Sequence, residues 1–279
     1  ANFFFQEDQK IGLDKRVDDL KQVVFHTKLG TSFEKVQRFQ ALAAFITEQI
    51  DSSLKSTVDR AAYLAKADLD TQMVGEFSEL QGVMGREYAL LSGELPIVAN
   101  AIYEHYLPIS AGGPLPETDA GAIVSIADKL DTIVGFFGVN LIPSGTADPY
   151  ALRRQAIGIV NIILNKNYVL KMDDLIKFSL GILESKMTGR PEEVKKDVLD
   201  FFRGRFENQL ISQGFSYDVV NAVLATNDWD LCRCYRKIKA MESFKTNSVF
   251  LPFATTVKRV ENIIKDFSNG AVDPSLFEN

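Results

Sequence analysis

The sequence is poor in the residues that most often carry metal, redox or nucleophilic chemistry. Its 279 residues include two histidines, two cysteines and one tryptophan. Neither His26 nor His105 has a second imidazole at metal-ligand spacing. Cys232 and Cys234 lie two apart, so on a helix they do not face each other, and two thiols alone do not make a zinc site. They read as incidental thiols of a reducing compartment. Cys-x-x-Cys, His-Glu-x-x-His and Gly-x-Ser-x-Gly are absent, as are the glycine-rich phosphate loops of P-loop and dinucleotide-binding folds. No run of 18 apolar residues exists to cross a membrane as a helix. The opening Ala-Asn-Phe-Phe-Phe-Gln-Glu-Asp lacks the basic head and apolar stretch of a signal peptide, which points to the cytoplasm. It also lacks an initiator Met, as expected of a piece of a longer chain.

What is present describes a folded protein. Apolar residues make up 46% and charged residues 24%, ordinary values for a chain with a sizeable core, and the length suggests about two domains. The net charge of −6 is unevenly spread. Residues 1–150 carry 12 Lys+Arg against 21 Asp+Glu, whereas residues 151–279 carry 19 against 16. A polyanion would therefore approach the second half.

Helical periodicity dominates, and the fold class is all-α. Leu13, Val17, Leu20, Val23 and Val24 recur at helical steps in a pattern that closes at Gly30. Thr31 or Ser32 can cap a helix through Val36, Phe39, Leu42, Ala43 and Ile46. Helices follow over Val58–Leu69, Leu80–Leu91 and Leu95–Tyr106, then a Gly/Pro-rich loop. Asp119–Phe137, ended by Gly138, is apolar on nearly every side and so is a buried helix. Asp148 with Pro149 supplies a helix start for Asp148–Lys166. Further helices are predicted over 172–187, 191–213, 215–225, 228–245 and 247–267, with a domain boundary between 139 and 190. His105, and His26 likewise, are placed near helix ends, where a ring N–H meets free carbonyls.

Asp68, Asp128 and Asp131 are acids in apolar surroundings. An unpaired buried carboxylate costs several kcal/mol, so each needs a cation, a metal or backbone donors. Two readings stay open: a divalent-metal or phosphate-handling site, or internal ion pairs with Lys66, Arg60 or Arg86.

A resemblance narrows these. Val24-Phe25-His26-Thr27-Lys28-Leu29-Gly30, Lys66-Ala67-Asp68-Leu69, Met73 through Gly85 and Ala127-Asp128-Lys129-Leu130-Asp131-Thr132 follow one another in order. With Ile142 through Arg154 they resemble the β subunit of the bacterial two-subunit glycyl-tRNA synthetase, in its central part. The resemblance implies a degenerate HD-type helical domain over 1–147. It also implies a helical region over 148–279 leading into an anticodon-binding-like bundle. The counterpart of the HD pair would be Ala67-Asp68, with alanine in place of the imidazole, and Asp128 matches the outlying aspartate. A site without imidazoles holds a metal poorly, so neither a metal nor a catalytic residue is expected here. The resemblance further implies that ATP-dependent glycine activation belongs to the α subunit of an α2β2 tetramer, with no cofactor in this part of β.

RNA contact would then use cations of the basic half. The candidates are Arg153, Arg154, Arg203, Arg205, Arg233, Arg236, Lys237, Lys239, Lys258 and Arg259, with Trp229 and Tyr235 available to stack on a splayed base. Two alternatives remain. One is a metal-dependent HD-type phosphohydrolase using Asp68, Asp128 and His26. The other is a purely structural scaffold for the α subunit.

Overall fold

In a computed structural model that describes residues 2–265, the chain is all-α apart from one small hairpin. The elements run α1 (Asn2–Asp8), α2 (Leu13–Asp19), β1 (Val24–His26), β2 (Gly30–Thr31), α3 (Ser32–Ile50) and α4 (Lys55–Leu64). Then come α5 (Gln72–Glu76), α6 (Val83–Leu91), α7 (Pro96–Glu104), α8 (Asp119–Gly138) and α9 (Leu152–Lys166). The series ends with α10 (Met172–Leu183), α11 (Pro191–Ser212), α12 (Tyr217–Leu224), α13 (Leu231–Lys245) and α14 (Phe250–Ile264). The end of the region expected from 148 lies outside the described residues.

The strongest local signals form what they encode. Thr31 accepts from the Glu34 N–H at 3.2 Å while the Glu34 carboxylate accepts from the Thr31 N–H at 2.8 Å, a reciprocal cap that starts α3. Every residue of α8 except Asp119 is buried, as an apolar-all-round helix requires. It is the axis of the molecule, packed against α3, α4, α7, α9, α10 and α11. One continuous core runs from Leu13 to Ile238 and crosses residue 148 without interruption.

Three boundaries differ from the periodicity. The helix from Leu13 stops at Asp19, and the stretch predicted to continue it forms the β1–β2 hairpin, turned at Gly30 with φ of 90°. Val23, Val24 and Phe25 suit a strand better than a helix, and their spacing from Leu20 is coincidental. The helix expected to reach Leu69 stops at Leu64, and Ala67–Asp70 form a 3₁₀ turn. Asp148 does cap α9, but from a distance. Its carboxylate accepts from Leu152 and Arg153 N–H groups at 2.8 and 2.9 Å, across Pro149, Tyr150 and a left-handed Ala151.

Candidate functional site

Asp128 and Asp131 lie on α8, and their side-chain partners are basic: Lys35 and Lys66 for Asp128, Lys35 and Arg38 for Asp131. Both Asp128 oxygens face ammonium groups, although Oδ1 accepts no hydrogen bond among the described residues. Lys66 Nζ donates to Oδ2 at 2.9 Å, and Lys35 Nζ lies 2.8 Å from Oδ1. Lys35 directs its N–H groups to the Asp128 carbonyl, Thr132 Oγ1 and Asp131 Oδ2, at 3.0, 2.7 and 3.3 Å. Asp131 is also gripped by Arg38, whose Nε lies 2.7 Å from Oδ1. Burial works against ionisation of Asp128, but Lys35 and then Lys66 outweigh it and hold the carboxyl well below its ordinary range.

Asp68 takes the other solution, a backbone donor. Its Oδ2 accepts from the Gly82 N–H at 2.6 Å, and the Tyr106 hydroxyl reaches Oδ1 at 3.4 Å. Gly82 holds φ of 80°, and an added Cβ would sit 2.5 Å from the Tyr106 ring, so both the turn and the contact require glycine. Burial, only partly offset by that N–H and by Lys66, raises the Asp68 carboxyl to about 6. Asp68 and Asp128 share no ligand; Lys66 bonds Asp128 and lies 4.1 Å over the Tyr106 ring.

These residues do not fit a divalent cation. Ammonium groups cover the Asp128 carboxylate. No cluster of three His, Cys, Asp or Glu able to hold a metal is found among the described residues. His105 is fully buried with Nδ1 against the Ile102 carbonyl, the contact expected at a helix end, while Nε2 has no partner among the described residues. Burial first, and then Lys66, hold it well below its usual value, so the ring is neutral. His26 is in the hairpin and not at a helix end. Its Nδ1 accepts from the Lys28 N–H at 3.2 Å, and its ring meets Phe136 and Tyr150 edge-on. Of the expected cationic partners only Lys66 serves. Arg60 pairs with Glu94 and Arg86 with Glu87.

Lys35, Arg38 and Lys129 were missed by sequence reasoning. A signal existed: Lys35 and Arg38 sit inside the apolar stripe of Val36, Phe39 and Leu42, and a buried cation needs a buried anion. Lys129 donates to the His105 and Leu107 carbonyls and to Ser125 Oγ at 3.0, 2.9 and 2.8 Å. Burial lowers its ammonium to about 7.

The basic candidates separate into three groups. Arg153 and Arg205 face one open groove between α9 and α11, with Asn161, Asn208, Gln209 and Gln213. Its volume is about 610 Å³. The two arginines are near enough that, after burial, Arg153 is the main influence lowering Arg205. Gln209 donates to Asn161 Oδ1 at 2.8 Å and keeps its own carbonyl oxygen unpartnered. Arg154 points elsewhere, to the pocket beside Asp128. Arg203 is half-buried on α11.

The α13 cations are less available. Arg233 and Lys237 both engage Asp228, at 3.4 and 2.8 Å, and Arg236 donates to the Cys232 carbonyl. Lys239 lies over the Tyr235 ring. Trp229 and Tyr235, expected as stacking platforms, pack against the core, Tyr235 edge-on to Phe215. Cys232 and Cys234 are buried and donate to backbone carbonyls; burial raises both thiols, Cys234 to about 11. Lys258 and Arg259 are exposed on α14, none of whose residues is buried.

Comparison with known proteins agrees with the motif strings. Residues 1–225 match the family described as glycyl-tRNA synthetase beta subunit. Over 277 residues the chain is 65% identical to the glycine–tRNA ligase beta subunit of Syntrophus aciditrophicus, covering 99% of this chain and 40% of that protein. It is 53% identical to the namesake of Trichlorobacter lovleyi and 52% to that of Geobacter metallireducens, each over 279 residues. The chain thus spans about two-fifths of the length of these relatives.

Proposed function

The chain belongs to the glycyl-tRNA synthetase β-subunit family, and from that premise we propose that it is a noncatalytic part of a glycine–tRNA ligase that helps bind tRNA(Gly). In this reading the division at 147/148 is one of labour. The α8-centred bundle, a degenerate HD-type domain, is a framework. The region that follows presents cations to RNA and leads into an anticodon-binding-like bundle. Glycine activation with ATP is the work of the α subunit in a cytoplasmic α2β2 enzyme, so no cofactor is needed here.

The observation that carries the RNA reading is the shared groove of Arg153 and Arg205. With Asp148 as the acid acting on Arg205, the two guanidinium groups still leave the groove net positive, and a phosphate backbone supplies the complementary charge. The groove's amides can reach phosphate oxygens and ribose hydroxyls without reading a base. Lys258 and Arg259 extend the cationic surface, whereas Arg233 and Lys237 are paired with Asp228 and Asp230.

The framework reading rests on Asp128. In a phosphohydrolase that carboxylate would face a metal and a water nucleophile; its oxygens here meet lysines. The test is aminoacylation by the complete enzyme, with full-length β carrying Arg153→Ala and Arg205→Ala. The expected result is a raised KM for tRNA with ATP–pyrophosphate exchange unchanged. The slope of log K against log salt should shallow by about 1.5, as loss of two phosphate contacts implies. An unchanged KM and slope would refute the groove's role.

A further inference from the structure

Beside Asp128 a pocket of about 460 Å³ opens to solvent. That is ample for a small ligand, since such sites run to roughly 300–1,000 Å³. Its basic and acidic lining is Lys35, Lys66, Lys129 and Arg154 against Asp128 and Glu79, so basic groups outnumber acidic ones even though burial lowers the Lys66 and Lys129 ammonium groups. The excess is built into the floor, where two ammonium groups rest on the single Asp128 carboxylate.

The lysines are not equivalent. Lys35 and Lys129 spend their N–H groups on protein acceptors and contribute only field. Lys66 makes one hydrogen bond, to Asp128, and among the described residues nothing accepts its other two N–H groups. Arg154, exposed at the mouth, has no ion-pair or hydrogen-bond partner among the described residues. A buried ammonium with spare donors and a free guanidinium lining the same pocket make a receptor for a multiply charged oxyanion. The lining is also aromatic: Phe136 and Tyr150 stack at 3.9 Å between centroids, with Phe25 edge-on to Phe136. Tyr150 is 37% exposed and offers a free face toward solvent.

We propose that this pocket binds a nucleoside phosphate. The phosphate would lie between Lys66 and Arg154, and the base against Tyr150. No bond is made or broken. The inference is independent of the RNA groove, which lies between α9 and α11 and shares no lining residue with this pocket.

The test is equilibrium dialysis of the complete enzyme, full-length β with its α subunit, against labelled guanosine, cytidine and uridine diphosphates. Adenine nucleotides are unsuitable because the proposed reaction uses them. The expected result is saturable binding of at least one of the three, one per β chain, weakened at least tenfold by Arg154→Ala. Tyr150→Ala should weaken the nucleotide but leave inorganic phosphate, the weaker ligand, unaffected. Both residues are exposed, so these variants keep the test valid if the buried Lys66→Met does not fold. Three results would each overturn the proposal. They are no saturable binding of any diphosphate at millimolar concentration, binding indifferent to Arg154→Ala, and displacement by intact tRNA(Gly) but not by tRNA(Gly) lacking its 3′-terminal nucleotides. The last would assign the pocket to the RNA end.

Discussion

Asp68 shows how one carboxylate can be kept without a cation of its own. Its folded-state value of about 6 lies above the 3.8 of an unperturbed aspartate, so between these pH values the native state holds a proton that the unfolded chain has lost. Stability from this group is therefore highest below pH 4 and falls as pH rises through 6, by up to about 3 kcal/mol. Asp68→Asn keeps an acceptor for the Gly82 N–H and cannot ionise. Relative to wild type, the variant is expected to gain stability between pH 4 and 7.5, read from urea unfolding at each pH. A difference constant across that range would show that Asp68 is not the group responsible. At Gly82 the reasoning is steric. Gly82→Ala meets a left-handed φ and the Tyr106 ring together and is expected to cost about 2–3 kcal/mol in denaturant unfolding. That Asp68 was buried could be read from its apolar flanks. That a glycine fourteen positions on would satisfy it could not, because a backbone N–H leaves no mark in sequence.

At the scale of elements, the outcome depended on how far each cap reaches. Thr31 and Glu34 close their box within four residues, so the start of α3 was readable. Asp148 was read correctly as a cap, yet α9 begins at Leu152 because the carboxylate serves N–H groups four and five residues on. Asp148→Ala removes both bonds and is expected to cost about 1–2 kcal/mol, with faster amide exchange confined to the first turn of α9. Loss of protection along the whole helix would mean that packing on α8 depends on this turn. The hairpin after α2 was missed for a different reason. Val23 and Val24 continue the spacing of α2 by chance, and tertiary contacts of Phe25 and His26 with Phe136 on α8 settle the chain there.

Over the whole molecule, the all-α class and the buried status of α8 were plain, because a long apolar stretch cannot be solvated. The pairing inside it was not. Arg38 meets Asp131 across 93 residues and Lys35 meets Thr132 across 97, distances over which spacing arguments have no power. Trp229 and Tyr235, half-buried against the core, are another case that only the fold could show. The same limit let sequence reasoning name Arg153 and Arg205 without joining them; α9 and α11 join them.

Internal charge pairing stands in place of metal-site chemistry in this account: the Lys35 and Lys66 ammonium groups face the Asp128 carboxylate at the heart of the bundle. Metal analysis of the complete enzyme after equilibration with manganese or zinc, comparing wild type with Asp128→Asn in full-length β, tests this most directly. The account expects the metal content per β chain to be the same in both proteins. One ion per chain present in wild type and lost in the variant would contradict it.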